Sequence, residues 1–201
     1  MTFDLPFQET MGFPTGDSGD DDADGLGYGL IGPTILLSLK AKIDYPWTDA
    51  LPKDIFMEYV LNYANLNEAR TNWRPLLVDA LKFNESDLWL SGNANLTSTV
   101  TWVNQHLWSK LGRGPDHPIF FKSGQTPLIF DPMSIIAYGY ASCTGTSILF
   151  ANALRAVGIP ARVAGTPAWY GNRTQGNHNW VEVYDIDHTT GGDSSDKWKF
   201  L

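Results

Sequence analysis

The chain has 201 residues, of which 43% are hydrophobic, 13% aromatic and 18% charged, and it holds eight Trp. Such a composition excludes a mostly disordered chain, which would lack aromatics and carry dense charge, and the length suits one domain with or without a tail. A net charge of −8 argues against nucleic acid and anionic membrane surfaces as partners, because phosphate binding needs clustered Lys and Arg.

Residues 1–29 read as an acidic, Gly/Asp-rich disordered tail, since GDSGDDDADGLGYG has no apolar period to offset its ordering entropy. Asp20, Asp21, Asp22 and Asp24 lack the alternation and terminal Glu of a calcium loop and are read as solvated linker. The domain proper is expected over residues 30–201. Its first apolar stretch, Ile31 to Leu39, suggests a short strand or buried segment, and is far short of the roughly 20 residues a bilayer span needs.

The run WTDALPKDIFMEYVLNYANLNE reads as a helix, with Ile55, Phe56, Tyr59, Val60 and Tyr63 at helical spacing. A second helix is predicted from Arg74 to Phe83, with Pro75 in its first turn. A third runs from Thr97 to Leu111 on the stripe Val100, Val103, Leu107 and Leu111. Gly112 to Pro132, with four Pro and three Gly, reads as a long loop.

Ala141 to Val157 reads as a helix with Ser142 as N-cap and Ile148, Ala151, Leu154 and Val157 as its buried stripe. Gly158 followed by Pro160 is its stop signal. PARVAGTPAWYG reads as strand and turn. HNWVEVYD alternates, placing Val181 and Val183 on one face and His178, Trp180 and Glu182 on the other. IDHTTGGDSSD reads as a polar hairpin loop, and KWKFL as the returning strand.

Cys143 is the chain's one cysteine, so an intrachain disulfide and a cysteine-based zinc cage are excluded. A lone cysteine fits a reducing, cytoplasmic setting, and MTFDLPFQET lacks the basic and apolar regions of a secretory signal. A single cysteine is ordinarily a small buried hydrophobe. Cys143, however, falls in the first turn of its predicted helix, where unpaired N–H groups and the dipole favour a thiolate. Small neighbours, Ser142, Thr144, Gly145 and Thr146, leave the sulfur room. Of the four histidines, His106, His117 and His188 fall in a helix or in polar loops, and His178 alone opens a strand after the cysteine helix. Imidazole is the usual base for a thiol nucleophile.

GYASCTGTSILFANALRAVGIPARVAGTP followed by HNWVEVYD resembles the core of the transglutaminase-like superfamily. The matching pieces are Cys143, Arg155 to Arg162, and His178-Asn179-Trp180-Val181-Glu182. More faintly, residues 49–74 look like the helical lead-in of some bacterial-type members. The resemblance implies an α+β, papain-like/transglutaminase-like fold, in which a nucleophile helix packs on an antiparallel sheet behind a helical N-terminal part. It also implies a Cys-His-Asp triad working through a thioester on a peptide or protein amide, by transfer or hydrolysis. No cofactor and no metal ligands are expected among the site residues.

For the oxyanion, the backbone N–H of Cys143 is a natural donor. Gln125, Trp108, Tyr138 and Tyr140 are side-chain alternatives among which the spacing does not choose. Trp180 is expected to pack beside His178. Asp185, Asp187 and His188 read as a solvated loop rather than metal ligands. Pairing Val183 with Trp198 would set His178 opposite about position 203, so the orienting acid is expected just beyond Leu201 and the domain reads as truncated at its C-terminal end. No acid from 185 to 196 is expected to touch the His178 ring. The alternative to an enzyme is a catalytically inactive protein-interaction module of the same fold.

Overall fold

The structure, a computed structural model, describes residues 27–82, 96–124, 126–185 and 197–200. Of the expected tail, residues 1–26 lie outside the described residues, as do the hairpin loop at 186–196 and Gln125, but residues 27–29 are helical rather than tail. Gly27–Ile31 forms a π-helical turn that runs directly into α1, Gly32–Asp44.

α1 replaces the expected strand. Its buried residues are Thr34, Ser38 and Ala41, at helical spacing, while Ile35, Leu36, Leu39 and Ile43 are exposed. Small side chains let the helix sit close to the body, and Ser38 Oγ is satisfied within the helix by donating to the Thr34 carbonyl at 2.7 Å. The strand expectation followed apolar content, whereas the packing follows side-chain size.

The long helix expected over residues 47–68 is a single short one, α2, Lys53–Tyr59, preceded by the 3-10 turn Pro46–Thr48. Two buried guanidinium groups claim the carbonyls beyond it. Arg74 donates to the Val60 carbonyl at 2.8 Å, and Arg155 to the Ala64 carbonyl at 2.7 Å. Glu68 accepts from the Asn65 and Leu66 N–H groups, at 2.8 Å each. Tertiary hydrogen bonds here override a helical period.

α3, Arg74–Ala80, and α4, Leu96–Leu111, lie close to expectation. Val100, Val103, Leu107 and Leu111 are all buried on α4. The stretch expected to be loop instead contains β1, Phe120–Phe121. It pairs in parallel with β2, Tyr140–Ala141. Between them lies α5, Pro132–Tyr138, capped by Asp131, whose carboxylate accepts from Ser134 N–H at 3.0 Å.

β2 feeds the central helix α6, Cys143–Ala156. Rather than burying one stripe, α6 is buried along most of its length, from Ser147 to Ala156, which is the pattern of a core helix. β3, Ala161–Thr166, β4, His178–Tyr184, and β5, Trp198–Phe200, form an antiparallel sheet in that order. Val181 and Val183 belong to the main core with α6, and Arg155 closes the helix onto β3 by donating to the Ala161 carbonyl from Nε at 3.0 Å and Nη2 at 2.8 Å. The fold is α+β, with the helix that begins at Cys143 packed on an antiparallel sheet. The β4–β5 register differs from expectation by one residue: Val183 pairs with Lys199 rather than Trp198. In that register Glu182 lies opposite Phe200.

Candidate active site

β2 delivers Cys143 to the first position of α6. Ser142 has extended N-cap backbone but makes no side-chain capping bond, so its hydroxyl consumes none of the first-turn N–H donors. Its carbonyl accepts from Thr146 N–H at 2.8 Å and from Thr146 Oγ1 at 3.0 Å, which fixes the first turn from below. Gly145 sets how deeply the turn is seated. A Cβ there would lie 2.7 Å from the Ile129 carbonyl oxygen and 2.8 Å from the Ala141 Cβ. Cys143 is a free cysteine and half-buried.

His178 opens β4 opposite Thr166 of β3. The two ends meet through their chain neighbours: Thr144 Oγ1 donates to Asn179 Oδ1 at 2.7 Å, while Asn179 Nδ2 donates to the Ala164 carbonyl at 3.3 Å. The first turn of α6 and the first residues of β4 are thereby held together. Gly165, opposite Asn179, makes room for this amide, because a Cβ there would fall 2.2 Å from Asn179 Nδ2.

The side of β4 carrying His178 is aromatic. Trp180 lies 6.5 Å from the imidazole, centroid to centroid, and Trp169, which the sequence reading did not single out, lies 4.3 Å away. Trp180 Nε1 donates to Glu182 at 3.2 Å. Glu182 in turn pairs with Arg162, whose Nε and Nη2 both lie 2.8 Å from Oε2. The Arg162 guanidinium lies over Trp198 at 4.1 Å. The acid of the His-x-Trp-x-Glu run is therefore engaged in holding the sheet face, not the imidazole.

The remaining named residues are spread more widely. Trp108 packs against Phe150 at 6.3 Å and donates to Asn104 at 3.4 Å. Phe150 is seven residues into α6 and so about 10 Å along the axis from Cys143. Tyr140 sits three residues before Cys143 with the Lys122 ammonium 4.6 Å over its ring, and Tyr138 is exposed. Gln125, Asp187 and His188 lie outside the described residues. Asp185 is beyond the far end of β4, about 23 Å along an extended strand from His178. Among the described residues no three His, Cys, Asp or Glu are grouped to hold a metal, and no helix is long and apolar enough to cross a membrane.

Compared with known proteins, residues 92–199 match the family model described as the transglutaminase-like superfamily, a match over more than half of the chain. No curated protein matches. The solved structure titled "Crystal structure of the periplasmic domain of TgpA from Pseudomonas aeruginosa bound to ethylmercury" aligns at 18% identity and a TM-score of 0.39. It covers 70% of this chain and 46% of that one, so the chain spans less than half of that structure's length.

Proposed function

Since this chain belongs to the transglutaminase-like superfamily, we propose that it is a cysteine acyl-transfer domain acting on a peptide or protein amide. Cys143 attacks the amide carbon as a thiolate, forming a C–S bond as the carbonyl electron pair moves onto oxygen. The backbone N–H of Cys143 donates to that oxyanion. Collapse breaks the C–N bond, and the leaving amine takes the proton that His178 removed from the thiol. Water or a second amine then resolves the thioester, giving up its proton to His178 and restoring Cys143. In a triad the imidazole is also oriented by an acid.

The observation that carries this reading is the Thr144–Asn179 bond, which holds the turn bearing Cys143 to the strand start bearing His178. The test supplies an unfolded protein as amide donor together with a labelled primary amine. The wild type is expected to incorporate label or to hydrolyse amides, and both Cys143→Ala and His178→Ala to lose both activities. Equal turnover by the wild type and Cys143→Ala would contradict the proposal. A wild type inert in both assays would point instead to the non-catalytic module.

A further inference from the structure

The connection between β3 and β4 holds Trp169 against the imidazole, with ring centroids 4.3 Å apart and planes inclined by 53°. Trp169 is also 6.4 Å from Trp180, so the two indoles and the imidazole form one cluster. A tight turn places it. Trp169 N–H donates to the Gly176 carbonyl at 2.8 Å, Gly171 N–H to Ala168 at 2.9 Å and Asn172 N–H to Trp169 at 3.0 Å. Closing the turn puts Tyr170 at φ 54°, in the left-handed region that a residue with a Cβ avoids. Among the described residues Tyr170 alone of the non-glycines has positive φ. Its own side chain is 84% exposed, so burial of that ring does not compensate the strain. What the turn secures is the placement of the residue before it.

We infer that Trp169 is a positioning residue for His178, a conclusion that rests on reading His178 as the base. An imidazole at the start of a strand, beside a connection, is free to turn about its side-chain bonds. The indole takes up one side of it and limits that rotation. Trp180 sits farther off, and its indole N–H is engaged by Glu182. A base must be aligned with the thiol it serves, and a misplacement of about 1 Å can cost on the order of 100-fold in rate.

The test compares Trp169→Leu, Trp169→Ala, Trp169→Phe and His178→Ala in the full chain. Two quantities are read at neutral pH: the rate of Cys143 alkylation by iodoacetamide, and the imidazole proton NMR signals, with His178 identified by the signal missing in His178→Ala. Trp169→Leu keeps apolar bulk without a ring. It is expected to slow alkylation about tenfold, within the cost of a small misplacement, and to move the His178 signal out of its ring-current position. Trp169→Phe is expected to restore most of the rate, and Trp169→Ala to resemble Leu. Wild-type rates in Trp169→Leu, or an unmoved His178 signal, would overturn the inference. Should His178→Ala itself alkylate at the wild-type rate, the reading of His178 as base fails, while the NMR signal still reports whether Trp169 holds the ring.

Discussion

The Asn179 amide accepts from Thr144 at 2.7 Å and donates to Ala164 at 3.3 Å, tying the first turn of α6 to β3 and β4. Each bond is worth on the order of 1 kcal/mol, but their position matters more than their strength, since they join the turn bearing Cys143 to the strand start bearing His178. A double-mutant cycle of Thr144→Val and Asn179→Ala should give a coupling of about 1 kcal/mol in urea unfolding. A coupling of zero would mean the contact does not hold the two elements. Gly165→Ala should act on the same contact from the other side, because its Cβ would meet Asn179 Nδ2 at 2.2 Å and the His178 carbonyl at 2.9 Å. Overpacking of this kind costs about 1–3 kcal/mol, and Cys143 alkylation should slow with it; unchanged stability and reactivity would contradict this account. The placement of Cys143 at a helix start and of His178 at a strand start was legible in the sequence. The contacts of Asn179 and Trp169 were not, because they depend on cross-strand and cross-loop neighbours that no local spacing encodes.

At the scale of elements, α6 organises the molecule. Two of its buried polar residues, Asn152 and Arg155, connect the core to the loop after α2. Asn152 Oδ1 accepts from Asn65 Nδ2 at 2.9 Å, and Arg155 reaches both the Ala64 carbonyl and the Ala161 carbonyl. Burial, reinforced by Arg155, pushes the Arg74 guanidinium down to about 9, and burial brings Arg155 down to about 10, with Glu68 and Tyr59 opposing. Both stay charged at neutral pH, stabilised by carbonyls and, at Arg155, by the charge of Glu68. Arg155→Lys keeps the charge and loses the planar fork. It should cost about 2–4 kcal/mol in urea unfolding through donors and acceptors left unpaired, and a change below about 0.5 kcal/mol would be contrary to this picture. These hydrogen bonds also explain why the helical period in residues 47–68 misled. The carbonyls of Val60 and Ala64 are claimed by arginines distant in sequence. α5 was, by contrast, legible in principle, since Asp131 before Pro132 is a start signal and Gly139, at φ 76°, a stop.

Across the whole molecule, the α+β order of helices and then strands could be read from the chain, and so could the sheet pairing to within one residue. α1 could not, because an exposed row of Ile and Leu over a buried row of Thr, Ser and Ala inverts the usual pattern. Just after α1, Tyr45 stacks on Trp47 at 4.9 Å, and burial, followed by the charge of Asp44, pushes its hydroxyl up from 10.0 to about 12. In the unfolded chain Tyr ionises near 10. The raised folded value means this contribution is fully present below that pH and is lost as pH rises through about 12. Tyr45→Phe should therefore lose less stability than the wild type between about pH 10 and 12, measured as the fall in Tm; parallel losses would show that Tyr45 is not responsible. The central claim is that Cys143 and His178 work as one nucleophilic pair. It is tested most directly by the second-order rate at which iodoacetamide alkylates Cys143 at neutral pH, in the wild type and in His178→Ala. The pair predicts a rate at least about tenfold lower without the imidazole, since the thiolate is the reacting form and its base has been removed. Equal rates in two folded proteins would contradict it.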